Sequence, residues 1–156
     1  MMRVFGFIRQ GIEVYVPVDF VKGIYQDETV FMYPELSDRL NGLVFMNGEV
    51  IPVIDIYRVI KGDFTFMPVD SYKNRSSLIL IESKNSVISL LYDSLKDIVE
   101  REYIKDVVKL DQENMRNSRD IGAFFVENIE LLEDIITRVK SDRNRFQEIF
   151  LCPKKS

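Results

Sequence analysis

The sequence has 156 residues, 46% of them hydrophobic and 29% charged, and its formal net charge is -4. This length and composition predict one folded domain with a packed core. The negative charge argues against nucleic-acid binding, in which neutralisation of phosphates dominates affinity. The chain has no histidine and one cysteine, which excludes zinc sites of the ordinary Cys/His kind and removes the commonest general base.

The beginning of the chain contains no apolar run long enough for a signal peptide or for a membrane-spanning helix of about 20 residues. We therefore expect a cytoplasmic protein without direct membrane insertion. No cluster of residues suggests a metal or an organic cofactor, so we expect neither.

The first predicted elements are strands. Two segments rich in β-branched and aromatic residues, 4–8 and 12–18, predict a hairpin that turns at Gln10 and Gly11. After it, Asp19 predicts an N-cap for one helical turn over residues 20–22, which Gly23 ends. A further strand is predicted over residues 24–32.

The segment 41–58 reads NGLVFMNGEVIPVIDIYR and predicts several elements in succession. Asn47-Gly48 between two apolar runs is a strong hairpin signal, because both residues tolerate the positive φ of a tight turn. The flanking strands are predicted over residues 43–46 and 50–54. Asp55 is then expected to cap a short helix over residues 56–61, which ends at Gly62.

The remaining elements are predicted from their apolar periodicity and turn residues. They are a loop over 63–75, a hairpin of strands 78–81 and 87–92, an extended stretch over 98–108, a loop over 109–120, a strand over 121–126 and a helical tail at about 134–151. Residues 129–133 fit either a strand or the beginning of that helix. About nine or ten short strands with a few short helices predict a mainly β fold of the barrel or sandwich type.

The central segment resembles a known protein family. In the family pattern a glycine, a strand, a tight turn, a proline-containing strand and an aspartate follow each other, and here these positions are Gly42, Gly48, Pro52, Val53 and Asp55. A second block matches at Tyr92, Asp93 and Ser94, followed by Ile98 and Val99. On these residues the chain resembles the CheW family, the coupling proteins of bacterial chemotaxis.

The resemblance implies a fold and a function. The fold would be two five-stranded β-barrel subdomains packed together within one domain, residues 1–156, carrying the C-terminal helical tail. The function would be that of a non-enzymatic adaptor. It would couple the cytoplasmic tip of a methyl-accepting chemoreceptor to the regulatory domain of a CheA-type histidine kinase.

Six positions are predicted partner contacts because of where they fall in the family motif: Val21, Lys22, Gly23, Gly42, Asn47 and Gly48. The chain departs from the family at two of them. Asn47 stands where relatives usually carry an arginine, and Gly23 stands where many carry a glutamate. Asparagine keeps the turn but offers a neutral amide in place of a cation with five donors.

Two alternatives stay open. The first is a divergent CheW-like protein that binds a different protein partner. The second is a small enzyme that uses carboxylates such as Asp55 and Asp93 as acid and base. For both aspartates a structural explanation is simpler, because Asp55 is predicted to cap a helix and Asp93 to end a strand. Nothing in the sequence places these two residues near each other.

Overall fold

The computed structural model describes residues 2–31, 40–61, 73–82, 87–110 and 122–126. The predicted loops over 63–72 and 111–120, Gly62, residues 129–133 and the helical tail at 134–151 lie outside the described residues. The structure described below is therefore that of the strand-rich part of the chain.

Ten strands and one short helix make up the described structure. The strands are β1 Arg3–Arg9, β2 Ile12–Pro17, β3 Val21–Phe31, β4 Leu40–Met46, β5 Glu49–Ile54, β6 Lys73–Glu82, β7 Val87–Leu91, β8 Ser94–Glu100, β9 Val108–Lys109 and β10 Ala123–Phe125. The helix is α1, Ile56–Lys61, and two single 3₁₀ turns cover Val18–Phe20 and Arg101–Tyr103.

The strands form two five-stranded units. One is a closed barrel with the strand order β3-β4-β5-β7-β6, and the other is a sheet with the order β8-β1-β2-β10-β9. Most neighbours are antiparallel, but β5 and β7 run parallel, as does β10 with both β2 and β9. The predicted mainly β fold is confirmed.

The two units pack on a shared hydrophobic core, because side chains alternate between the two faces of each strand. In β6, Leu78 and Leu80 belong to the core inside the barrel, whereas Ile79 and Ile81 belong to the core shared with the sheet. From the sheet, Phe7 and Phe124 reach the same shared core and are fully buried. A third, smaller core lies on the opposite face of the sheet around Val4, Tyr15 and Phe125.

Two hairpin turns have nearly the same backbone conformation. Gln10 and Gly11 have φ values of 52° and 81°, and Asn47 and Gly48 have φ values of 53° and 78°. Two successive residues with positive φ are typical of the type I′ turn, whose twist matches that of the flanking strands. These two predicted hairpins are confirmed, as is the third, since β6 and β7 also pair antiparallel.

Four local predictions were wrong in detail. The predicted helical turn over residues 20–22 is a 3₁₀ turn two residues earlier, Val18–Phe20, without a side-chain cap. Pro17 precedes it with φ -57°, and Val21 and Gly23 are already paired with β6 in the barrel. Pairing with β3 also draws residues 73–75, predicted as loop, into β6. The extended stretch over 98–108 is interrupted by the turn Arg101–Tyr103. Lys109, predicted as the beginning of a loop, belongs to β9 because it pairs with Phe125 of β10.

Candidate functional site

Three of the predicted contact residues lie at the beginning of β3. Val21 pairs with Ile81 and Gly23 pairs with Leu80, so that Lys22 is an extra residue in β3 with no counterpart in β6. Such a β-bulge changes the direction in which a side chain points. Lys22 is exposed, whereas Val21 is half-buried and packs against the shared core. The bulge thus presents a cation on a rigid strand.

The neighbouring Gly23 is required by local packing. A Cβ atom at this position would lie 2.7 Å from a ring carbon of Tyr25. Tyr25 in turn packs against the core inside the barrel. A larger residue at position 23 would therefore have to displace the Tyr25 ring.

The other three predicted contacts lie on β4 and its turn. Asn47 and Gly48 are exposed at the tip of the hairpin. Gly42 is buried, and a Cβ there would overlap the carbonyl oxygen of Phe31 and lie 2.8 Å from Cγ1 of Val30. The structure therefore gives Gly42 a packing role, since its missing side chain lets β3 and β4 approach each other.

The two exposed groups lie toward the same end of the barrel. Strand β4 runs antiparallel to β3, and their one paired position joins Leu43 to Phe31. From that level Met46 is three residues along β4, whereas Gly23 is eight residues back along β3. One of those eight is the extra residue of a bulge between Tyr25 and Glu28, and the turn begins one residue beyond Met46. At about 3.3 Å per residue the turn and the bulge are therefore separated by roughly 10 Å along the strands.

An exposed aromatic side chain lies beside the turn. Phe45 is 48% exposed, and its ring meets that of Phe31 edge to face with a distance of 5.2 Å between centroids. The run from Leu43 to Met46 was predicted as a strand. Successive side chains of a strand point to opposite faces, so Val44 and Met46 point into the barrel and Phe45 points outward.

A buried ion pair links the sheet to the barrel. Arg9, the last residue of β1, donates from Nε to Oδ1 of Asp55 over 3.0 Å and from Nη2 to Oδ2 over 2.8 Å. Asp55 also accepts a bond of 3.1 Å from the amide of Tyr57, which confirms its predicted role as the cap of α1. The side chains of Arg9 and Asp55 are only 16% and 7% exposed.

Asp93 completes this network, which we call the Arg9 clamp (Arg9, Asp55 and Asp93). Nη1 of Arg9 donates to Oδ1 of Asp93 over 2.9 Å, and the amide of Gln10 donates to Oδ2 over 2.7 Å. Burial by itself lowers the pKa of Arg9, but the bonds and charges of Asp55 and Asp93 outweigh it, and the pKa is raised. The guanidinium is therefore a permanent cation between two carboxylates.

The clamp brings two aspartates of the family motif, Asp55 and Asp93, to the same arginine. Both carboxylates hold Arg9 and a backbone amide, so each has a structural use. Among the described residues no group of acidic or sulfur side chains could hold a metal ion. Arg9 itself was missed by the sequence interpretation, because no local pattern distinguishes it from an ordinary arginine at a strand end.

Comparison with known proteins agrees with this geometry. The family model of the CheW-like domain matches residues 3–121. The chain belongs to the CheW-like family. Members of this family are non-enzymatic scaffolding proteins, so the assignment favours the adaptor prediction over the carboxylate enzyme.

A solved structure supports the fold. The scaffolding protein TtCheW from Thermoanaerobacter tengcongensis matches with a TM-score of 0.50 and 19% sequence identity. The match covers 64% of this chain and 64% of that protein, and therefore less than two thirds of its length. No curated protein matches the chain significantly. In the part of the chain that the structure describes, no helix is long and apolar enough to cross a membrane.

Proposed function

We propose that this CheW-like chain is an adaptor that couples the cytoplasmic tip of a methyl-accepting chemoreceptor to the regulatory domain of a CheA-type histidine kinase. The observation that carries the proposal is the exposed end of the barrel, where the bulged Lys22 and the Asn47-Gly48 turn are the predicted contacts. Neither group is used by the core. Paired strand residues flank both groups, and exposed groups held on a rigid scaffold are suited to recognition.

The spacing of these groups fits a helical partner. The bulge and the turn are roughly 10 Å apart along the strands. One helix is about 10–12 Å across, and two packed helices lie about 8–10 Å apart, so a helical hairpin is wide enough to contact both. The tip of a chemoreceptor is proposed as that hairpin.

The charge of this surface differs from the family pattern. Lys22 supplies a cation at the bulge, while Asn47 at the turn supplies only a neutral amide. Two residues before the turn, the exposed ring of Phe45 offers apolar area. We therefore expect affinity for the receptor to depend on apolar contact near the turn and on charge only near Lys22.

A binding measurement with a purified chemoreceptor tip tests this assignment. Lys22→Glu should weaken binding about tenfold, because it replaces an attractive charge by a repulsive one. Lys105→Glu, the same change at an exposed position of the sheet unit, should leave the affinity within about twofold of the wild type. Equal loss in both variants would show that overall charge, and not this surface, controls binding.

The turn offers a second, independent variant. Asn47→Arg restores the cation of the family motif and should strengthen receptor binding by about threefold or more. Gln10→Arg is its matched control, because Gln10 begins the other type I′ turn with almost the same φ. If Asn47→Arg changes nothing, the turn does not contact the receptor, and a CheW-like protein with a different partner becomes the better account.

A further inference from the structure

The edge strand β8 carries two exposed apolar side chains. Among the strands that the structure describes, it pairs with β1 on one side and has no neighbour on the other. Leu95 and Ile98 are 41% and 46% exposed, respectively. An exposed strand edge with apolar side chains is a template for pairing with another chain.

The pairing of β8 places these two side chains on one face. Leu95 is opposite Phe7, and Ile98 is opposite Phe5. Residues that face each other in an antiparallel pair point to the same side of the sheet. Because Phe5 and Phe7 both lie in the shared core, Leu95 and Ile98 extend that apolar face to the edge.

Two charged residues lie between them. Lys96 and Asp97 together oppose the single residue Gly6, which is a β-bulge in β8. Lys96 lies on the other face of the sheet, where it pairs with Glu13 and lies 5.9 Å from the ring centroid of Tyr15. Asp97 is exposed and has no ion pair or hydrogen bond among the described residues.

We propose that β8 pairs with β8 of a second copy of this chain, antiparallel about a two-fold axis between residues 96 and 97. In this register Leu95 of one copy faces Ile98 of the other, and Lys96 faces Asp97. Each match occurs twice, as an isologous interface requires. The bulge lies on the axis, and the apolar contacts flank it.

The charges favour this partner over others. A lysine and a bulge at a sheet edge discourage pairing with unrelated strands. In the self-paired register the same charges form two opposite-charge pairs, whereas most other strands would leave them unmatched. Lys96 can keep Glu13 and also bind Asp97 of the second copy, because an ammonium group has three donors.

The consequence is a bivalent adaptor. The contact uses the sheet unit and leaves the Lys22 bulge and the Asn47-Gly48 turn of the barrel exposed in both copies. Two linked binding sites raise the avidity for an array of partners without any new contact to them. The pairing of two copies through β8 does not depend on the proposed receptor or kinase binding.

Sedimentation velocity of the purified chain tests the proposal. Pairing through a single strand makes a small interface, and small interfaces bind weakly, so a dimer should be populated at about 0.1–1 mM protein. Asp97→Lys places Lys96 against a second lysine and should weaken self-association at least about tenfold. Glu49→Lys, the same change of charge at the exposed hairpin of the barrel, should not weaken it.

A mixture of two variants gives the sharpest result. Lys96→Asp alone should also be monomeric, because the introduced carboxylate and Asp97 then repel each other across the axis. Mixed in equal amounts, Lys96→Asp and Asp97→Lys should form a heterodimer with about the wild-type affinity, since both cross-strand pairs are again opposite in charge. Circular dichroism of each variant shows whether it is folded before mixing.

Three outcomes would overturn the proposal. They are a monomeric wild type at about 1 mM, a dimer that Asp97→Lys leaves intact, and two monomeric variants that fail to associate when mixed. If the same variants abolish binding to a kinase regulatory domain while the chain alone is monomeric, the edge is occupied by that domain instead.

Discussion

Replacing Arg9 by methionine should destabilise the protein by about 3 kcal/mol, because it leaves a buried carboxylate without its cation. Methionine keeps most of the length and apolar volume of the side chain. The change therefore removes the positive charge and the three hydrogen bonds that the Arg9 side chain donates, with little loss of packing.

The magnitude follows from the exposure of the two aspartates. Asp55 is 7% exposed, and removing one partner of a buried pair typically costs about 3–5 kcal/mol. Its bond from the Tyr57 amide remains, which places the expected loss at the lower end of that range. Asp93 is 46% exposed, so Asp93→Asn alone should cost less than about 1 kcal/mol.

Urea unfolding at pH 7, followed by circular dichroism, measures these losses. A double-mutant cycle with Asp55→Asn separates the ion pair from the helix cap, which asparagine can still provide. Once Arg9 is absent, Asp55→Asn should be neutral or stabilising, because it removes an unpaired charge. A loss below about 0.5 kcal/mol for Arg9→Met, or additive effects in the cycle, would refute the buried-clamp explanation.

Three further predictions concern packing, pH dependence and a buried hydroxyl. Gly42→Ala should lower the free energy of unfolding by about 2 kcal/mol, because the added Cβ overlaps β3. Gly122→Ala should change it little, because no atom lies within 4 Å of its added Cβ. Equal effects of the two variants would contradict the close approach of β3 and β4. A hydrogen bond from Lys96 lowers the pKa of Glu13 below its usual 4.5. The Lys96–Glu13 pair therefore stabilises the fold fully above pH 4.5, and this stabilisation is lost as the pH falls through the lowered pKa. Glu13→Gln should accordingly be less stable than wild type at pH 7. In urea titrations below the lowered pKa of Glu13 the two proteins should be indistinguishable, and a gap that persists there would exclude the ionic cause. Ser89→Ala should cost about 1 kcal/mol in urea unfolding, because it removes the buried donor to the carbonyl of Pro52 at 2.9 Å; no loss would mean that this bond contributes nothing net.

Local signals made much of the strand plan predictable. Glycine marks both type I′ turns, and in one of them asparagine, which tolerates positive φ, precedes it. The apolar runs around these turns mark β1, β2, β4 and β5. Asp55 could be recognised as a cap because its function depends on the residues that follow it directly. These features are encoded within a few neighbouring positions.

Long-range pairing could not be predicted in the same way. Arg9 is 46 positions from Asp55 and 84 from Asp93, and only the packing of the sheet on the barrel brings them together. The bulges at Lys22 and at Lys96 depend on the register between strands that are far apart in the chain. The earlier start of β3 has the same origin, since pairing with β6 overrides the turn signal of Asp19 and Gly23.

The adaptor function is tested most directly by mixing the purified chain with the regulatory domain of a CheA-type histidine kinase and following the mixture by gel filtration. For an adaptor we predict co-elution of the two proteins as one complex at about 100 µM, with a dissociation constant in the micromolar range. Separate elution of both proteins at that concentration, with the chain folded by circular dichroism, would contradict the proposed function.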